Sequence, residues 1–375
     1  MDILRIAPLA AAGLIGTLYG RDVWTLGLSA LIPILVFTRP CRGDAAATVL
    51  LYYAATSWPT VPCARSFWAL SGLSLTPALI WLAATLLLSL PWIVLWSSTR
   101  SQIHWRAPLS MLIGALPPFG LIGWASPLTA AGVLFPGTAL LGVVAVALVA
   151  SLPIKSVAFA AIAANLLYVP LTPPPGWAAI NTTIDSAARV DPVADFEAVN
   201  LIQDAAMRTN SPFLLAPESA VIRWNEATAD LWQPTIDALA DRNATLLLGT
   251  SIAIPSTTNY QNILLAIGKH QGAFVQRNPV PFAMWKPFGG QDNTALRLTG
   301  PATLTVPNHR AAILICYEQL LTWPILQSAL DHPTLILGIA NDYWCRGTRI
   351  AQAQQSCVRA WARLFNLPAV TATNE

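Results

Sequence analysis

The first 171 residues limit what this chain can be. They run as apolar segments broken by short basic loops, near 3–19, 23–37, 45–60, 76–96, 107–124, 128–152 and 155–171. The strongest of these, Ala78–Trp96 and Leu128–Leu152, are long enough to cross about 30 Å of hydrocarbon. Of the 21 Lys/Arg and 18 Asp/Glu in the chain, residues 1–177 hold only eight basic residues (Arg5, Arg21, Arg39, Arg42, Arg65, Arg100, Arg106, Lys155) and three acids (Asp2, Asp22, Asp44). The other 13 basic and 15 acidic residues lie beyond, so that part has a net charge of −2. Two different solvents are implied: a polytopic α-helical membrane domain over 1–171, then a domain in water. Residues 3–19 lack a small-x-small cleavage site and lead straight into more apolar sequence, so they read as a span and not as a cleaved signal peptide.

Seven crossings allow a test of topology. Loops on the N-terminal side carry Arg5, Arg39, Arg42, Arg100, Arg106 and Lys155, and those on the other side carry Arg21 and Arg65. This satisfies the positive-inside bias with the N-terminus in the cytoplasm. An odd number of crossings places everything after residue 172 outside: a multi-pass protein of a bacterial inner membrane with a periplasmic C-terminal domain. The segments at 23–37 and 45–60 are short, and if one does not span, the orientation inverts. The sequence pI of 8.7 comes from membrane-flanking arginines, so no direct nucleic-acid partner is expected.

Residues 172–177, Thr-Pro-Pro-Pro-Gly-Trp, form a stiff linker and the domain boundary. From 178 to 375 the pattern changes to alternating strands and helices, which predicts an α/β layered domain. Helices are expected over 191–210 (Asp191 as N-cap before Pro192), 231–241 and 349–365. Strands are expected at 213–216, 244–254, 262–267, 273–276, 311–315, 334–340 and 369–373.

Three of these strands end in polar groups: Glu218 after 213–216, Cys316 after 311–315, and Asn341-Asp342 after 334–340. A thiol at a strand-to-helix junction is placed for a helix N-terminus to lower its pKa and for backbone N–H groups to face an oxyanion. A carboxylate brought to the same sheet edge supplies the general base that a cysteine nucleophile needs. A buried inert cysteine and a solvated loop glutamate are the bland alternatives. His104, His270, His309 and His332 sit in ordinary settings. Cys41, Cys63, Cys316, Cys345 and Cys357 show neither metal-ligand spacing nor an even disulfide framework, although Cys345 and Cys357 are near enough in sequence to pair. Neither a metal nor a cofactor is expected.

The ordered motifs Leu215-Ala-Pro-Glu218-Ser, Pro279-Val-Pro-Phe282, Ile315-Cys316-Tyr317-Glu318 and Asn341-Asp342-Tyr343-Trp344, following a membrane domain, resemble the apolipoprotein N-acyltransferases of the nitrilase (carbon–nitrogen hydrolase) superfamily. The runs Leu128–Gly137 and Pro279–Trp285 are more similar still to the TraB conjugal transfer proteins, a plasmid-borne branch of that family. The resemblance spans nearly the whole chain. It implies a nitrilase-like αββα sandwich and a Glu–Lys–Cys triad passing through an acyl-thioester. On it, Cys316 falls on the nucleophile and Glu218 on the base, with Tyr317, Glu318 and Trp285 as substrate contacts. The family's lysine falls on Gln276, and Met284 replaces a second glutamate. Arg277 and Lys286 are the candidate replacements for the missing cation, although adjacent strand residues such as Gln276 and Arg277 face opposite ways. The resemblance also predicts further strands and a last membrane helix beyond Glu375, so the chain is expected to be truncated there.

The function expected is that of an inner-membrane conjugal transfer protein with cysteine-dependent N-acyltransferase chemistry. Its acyl donor is a phospholipid and its acceptor an amine on a protein or peptide; membrane lipids and conjugation machinery are the expected surroundings. The alternatives are a catalytically degenerate structural component of the transfer apparatus and a membrane-anchored amidase.

Overall fold

The computed structural model describes residues 3–70 and 74–375. Asp2 and the Arg5 side chain, both counted in the charge pattern above, lie outside the described residues. The chain forms two compact units. One comprises 1–171, 320–323 and 347–367, and the other 172–319, 324–346 and 368–375.

The helical unit is built on helices Ile3–Leu18, Arg42–Ser57, Thr76–Leu95, Arg100–Ala115 and Ile154–Leu167, with shorter pieces between them. Among the described residues one helix, Thr76–Leu95, is long and apolar enough to cross a membrane, with a mean hydropathy of 2.2. Ile6–Leu18, Val23–Phe37 and Ile154–Leu167 are shorter apolar helices.

The segment 128–152, expected as one span, is broken. A 3₁₀ turn, Pro127–Ala130, leads into a short helix, Ala131–Leu134, and a second helix runs over Leu140–Ala147. Pro136 has no N–H to continue the first helix, and Gly137 and Ala139 take positive φ values of 75° and 51°. The freed N–H groups have a use. Those of Gly137 and Ala139 donate to the carbonyls of Arg363 and Leu364 at 2.8 and 2.9 Å, satisfying the C-terminal end of helix Ile350–Phe365. The expected span 107–124 likewise ends early, at Ala115, just before Pro117-Pro118.

Helix Ile350–Phe365 was expected in the α/β domain, yet it belongs to the helical unit. Its buried face includes Ala353, Cys357, Ala360, Trp361 and Leu364. Cys357 is a free thiol 3.8 Å from the Tyr19 hydroxyl, and it makes no disulfide with Cys345. Arg363 donates to the Gly132 carbonyl at 3.1 Å and to Asn165 Oδ1 at 2.8 Å. At Gly132 the backbones meet so closely that an added Cβ would lie 1.8 Å from the Ala360 carbonyl oxygen.

The second unit holds nine strands: β1 (Trp177–Ala179), β2 (Phe213–Leu215), β3 (Thr245–Ala253), β4 (Tyr260–Gly268), β5 (Gly272–Val275), β6 (Thr303–Val306), β7 (His309–Ile315), β8 (Leu335–Asn341) and β9 (Ala369–Asn374). They form a five-stranded sheet, β1-β2-β3-β4-β5, and a four-stranded sheet, β6-β7-β8-β9. The runs β1-β2-β3 and β7-β8-β9 are parallel, and the remaining pairs are antiparallel. Strands β1 and β6 are short, and no expected element corresponds to them.

Alternation along the strands builds the layers. Leu214, Leu246 and Leu248 pack with Val199, Ile202, Trp232 and Leu239 of helices Pro192–Arg208 and Glu226–Asp241. Their neighbours Leu215 and Leu247 point the other way, into a core shared with Ile313, Ile315, Leu337, Ile339 and Ala372 of the second sheet. Both helices are capped from sequence: Asp191 accepts from the Val193 N–H and Asn225 from the Thr228 N–H, each at 2.9 Å. The sandwich therefore brings the C-terminal ends of β2, β7 and β8 to one region.

Replacing Gly132 by Ala is expected to cost about 2 kcal/mol or more, because a backbone carbonyl cannot yield to a methyl group. Gly114, in helix Arg100–Ala115, has nothing within 4 Å of an added Cβ. Gly114→Ala should leave the melting temperature unchanged or slightly raised. Thermal unfolding of the two variants in detergent makes the comparison.

Candidate active site

Glu218 and Cys316, 98 positions apart in sequence, share a hydrogen bond: the thiol of Cys316 donates to the carboxylate. Each arrives by a tight backbone. Glu218 follows β2 through Ala216-Pro217, and this turn lies against the middle of β3. A Cβ on Gly249 would sit 2.4 Å from the Glu218 Cα, so only glycine allows the approach. Cys316 follows β7 and has φ +50°, a left-handed backbone that costs energy in a non-glycine residue and turns the side chain sharply out of the strand line.

The Glu218 carboxylate is 6% exposed and well partnered. Its Oε1 accepts from Asn262 Nδ2 at 2.6 Å, and its Oε2 from the Asn341 backbone N–H at 3.1 Å. The same Asn341 N–H also bonds to the Cys316 sulfur, so the end of β8 holds acid and thiol together. Behind them, Asn262 Nδ2 donates to Gln276 Oε1 at 3.0 Å, and Gln276 Nε2 donates to the Ile315 carbonyl at 3.1 Å. Gln276 thus stands beside the site, 2% exposed, as a neutral bridge where a lysine was expected.

Neither candidate cation takes its place. Arg277 is turned to the opposite side of its strand line, as alternation requires. Its guanidinium donates to the carbonyls of Pro324 and Ile313 at 3.0 and 2.9 Å and to Ser328 Oγ at 3.0 Å. Lys286 lies in the loop after β5, where its ammonium donates to the Gln291 carbonyl and its backbone N–H to Asn293 Oδ1 at 2.8 Å.

Of the expected substrate contacts, Glu318 proves to be structural. Fully buried, it accepts from the backbone N–H groups of Arg277 (2.8 Å), Asn278 (3.0 Å) and Ile315 (3.0 Å), and pairs with Arg277 Nε at 3.5 Å. Tyr317 is buried. Trp285 is half-buried in the loop after β5, its N–H donating to the Val280 carbonyl at 3.1 Å.

The electrostatics follow from burial and from the sign of the neighbours. Burial pushes the Glu218 carboxyl up from its ordinary range, and the hydrogen bonds from Cys316, Asn262 and Asn341 oppose this. Burial first, then the charges of Glu218 and Asp342, push the Cys316 thiol well above its ordinary value. The expected helix N-terminus does not offset them: Cys316 opens a 3₁₀ turn, Cys316–Leu320, and the next helix is Thr322–Ala329. Asp342 is raised to about 8 by burial and by Glu218 and Glu375. Burial therefore keeps the sulfur protonated at rest, its hydrogen bond aimed at Glu218, the group placed to take that proton.

Asn262 escaped the sequence reading because an asparagine near the start of an antiparallel strand carries no signal until its partner across the sheet is known. The interior Gly249 was the available sign of a close backbone approach.

Removing the Glu218 charge should lower the Cys316 pKa, since that carboxylate is among the causes that raise it. In Glu218→Gln the pH curve for alkylation of Cys316 by iodoacetamide is expected to move to lower pH. Site-resolved mass spectrometry separates this thiol from the exposed Cys41. A curve unmoved by the substitution would contradict the coupling.

The geometry can be set beside known proteins. No family model matches the chain. It is 32% identical over 410 aligned residues to conjugal transfer protein TraB of Agrobacterium fabrum, an alignment spanning 100% of this chain and 94% of that one. It is 33% identical to the "Probable conjugal transfer protein TraB" of Sinorhizobium fredii, over 79% of each chain. Solved structures similar to part of it include an amidase of the nitrilase superfamily from Nesterenkonia (14% identity, TM-score 0.38, 54% of this chain and 78% of that one). A carbon–nitrogen hydrolase from Helicobacter pylori is comparable (14% identity, TM-score 0.39, 52% and 72%). At this identity, held over its full length, the chain belongs to the TraB family of conjugal transfer proteins.

Proposed function

We propose that this protein acts in plasmid conjugation as a membrane-held cysteine acyltransferase, with a phospholipid as acyl donor and an amine on a protein or peptide as acceptor. The observation that carries the reading is the hydrogen bond from the Cys316 thiol to the buried Glu218 carboxylate, at the strand ends of a two-sheet sandwich.

The reaction has two balanced halves. Cys316 attacks the ester carbonyl while Glu218 takes its proton. The S–C bond forms, the ester C–O bond breaks, and Glu218 returns the proton to the departing alkoxide of the lysophospholipid. In the second half the amine attacks the thioester and Glu218 accepts a proton from its nitrogen. The C–N bond forms, the C–S bond breaks, and the proton goes back to sulfur. The neutral Gln276 in the lysine position means less charge stabilisation for each oxyanion, a loss on the order of 10²–10³ in rate. A slow modification of a membrane-held acceptor tolerates such a loss.

The apolar N-terminal segments and their exposed side chains support a multi-pass anchorage in the inner membrane, with the α/β unit in the periplasm. Leu79, Leu86 and Val94 on helix Thr76–Leu95 are exposed, as are Phe159, Ile162, Leu166 and Leu167 on helix Ile154–Leu167. Surfaces of this kind suit lipid better than water.

Full-length protein incubated with phosphatidylethanolamine vesicles is expected to gain an acyl adduct on Cys316, detected by mass spectrometry and absent from Cys316→Ala. Glu218→Gln should slow its appearance by roughly 10²–10⁴. A thiol that stays unmodified would sink the chemistry.

Gln276 also favours a second reading, a component that keeps the fold without the reaction. Plasmid transfer that proceeds undiminished with Cys316→Ala and with Glu218→Gln would select it.

A further inference from the structure

The residue after Asn341 is not used by the mechanism above. Asp342 is 4% exposed, and its Oδ2 is buried with no hydrogen-bond partner among the described residues. Its backbone is fixed on both sides: its N–H donates to the Asn374 carbonyl at 2.8 Å, and its own carbonyl accepts from the Cys345 N–H at 2.8 Å. The preceding N–H, that of Asn341, is the one bound to both Glu218 and Cys316. The Asn341 side chain is held in turn by Asn374 Nδ2 at 2.9 Å and Ser186 Oγ at 3.1 Å. Asp342 therefore cannot move away from the acid–thiol pair without disturbing the strand end that aligns it.

The charged groups around Asp342 are Glu218 on the turn after β2, Cys316 after β7 and Glu375 after β9. Arg346, four residues on, donates to the carbonyls of Thr183 and Glu375 and lies over the Tyr343 ring at 4.3 Å. Arg277 is committed to Glu318. An ionised Asp342 would be a second buried anion beside Glu218, with an unpartnered oxygen, in a site that must build further negative charge on sulfur and on a carbonyl oxygen. Two neighbouring buried carboxyls do not readily ionise together.

We propose that Asp342 works as the protonated partner of Glu218: its proton holds the acid–thiol cluster at a single negative charge, and loss of that proton stops acylation of Cys316. This charge-setting role rests on the acyltransfer reading for its substrate but not for its effect on the thiol. It accounts for how a site with Gln276 in place of a cation stays near one charge, by removing an anion where a lysine would have added a cation. Asp342 acts through Glu218 and Cys316 and is a positioning residue in that sense.

The sign is fixed by the direction of the shift. With the Asp342 carboxyl raised to about 8, the proton is present at neutral pH and is lost in mildly alkaline solution. The rate of adduct formation from phosphatidylethanolamine vesicles on full-length protein should therefore fall above that point, by about tenfold per pH unit where one proton is required. In Asp342→Asn, which keeps the shape and cannot ionise, the alkaline fall should vanish. A wild-type alkaline fall that persists unchanged in Asp342→Asn overturns the proposal, as does a wild-type rate with no fall at all.

Alkylation of Cys316 by iodoacetamide, which needs no acyl donor, provides the second arm. Removing the Asp342 charge should move that curve to lower pH. If no adduct forms in either protein while the alkylation curve moves, acyltransfer fails and the role of Asp342 stands. If adducts form and neither the alkaline fall nor the alkylation curve responds to Asp342→Asn, acyltransfer stands and the role of Asp342 fails.

Discussion

The α/β unit depends on one buried carboxylate that touches no reacting atom. Glu318 accepts three backbone N–H groups, from Ile315 at the end of β7 and from Arg277 and Asn278 after β5, and sits against the Arg277 guanidinium. A single side chain thus fastens the turn that carries Cys316 to the loop that carries Gln276. Burying that much charge is costly unless it is paired and hydrogen-bonded, and here the two terminal guanidinium nitrogens of Arg277 donate to carbonyls while its Nε has only the 3.5 Å ion pair with Glu318. The strained backbone at Cys316 lies within this clamp: the preceding residue, Ile315, donates its N–H to Glu318 and accepts from Gln276 at its carbonyl.

Once the clamp has consumed Arg277, the site is left with carboxyls and amides. Glu218 raises both the thiol and Asp342, Asp342 raises the thiol, and Asn262 and Gln276 link Glu218 to the Ile315 carbonyl through neutral hydrogen bonds. Such a cluster favours proton sharing over stored charge. Its thiol is protonated at rest and hydrogen-bonded to Glu218, so a reaction at sulfur would begin with proton transfer along that bond. This separates it from a site in which a lysine supports the thiolate in advance.

The helical unit shows the same economy of polar groups. Broken helices free N–H groups and carbonyls from the helical ladder, and the helix Ile350–Phe365 answers them: Gly137 and Ala139 bind its final carbonyls, and Arg363 binds Gly132 and Asn165. Pro136, Gly137 and Gly132 are therefore parts of a joint with a distant segment, although in sequence they look like interruptions of a span.

Much of this was legible in the residues. The apolar segments before Pro173, the strand–helix alternation after it and the polar strand ends at Glu218, Cys316 and Asn341 follow from periodicity and residue chemistry, which act locally. The opposed directions of Gln276 and Arg277 were equally readable, since alternation in an extended chain is a steric necessity. Other features had no local signature. That Glu318 is a clamp, that Asn262 meets Glu218, that Asp342 is buried without a partner, and that Ile350–Phe365 packs with the helical unit all depend on which strands and helices become neighbours. Side-chain chemistry and backbone sterics are written residue by residue, but burial and the sign of the surrounding charge are properties of a place, and the place is made only by the tertiary fold.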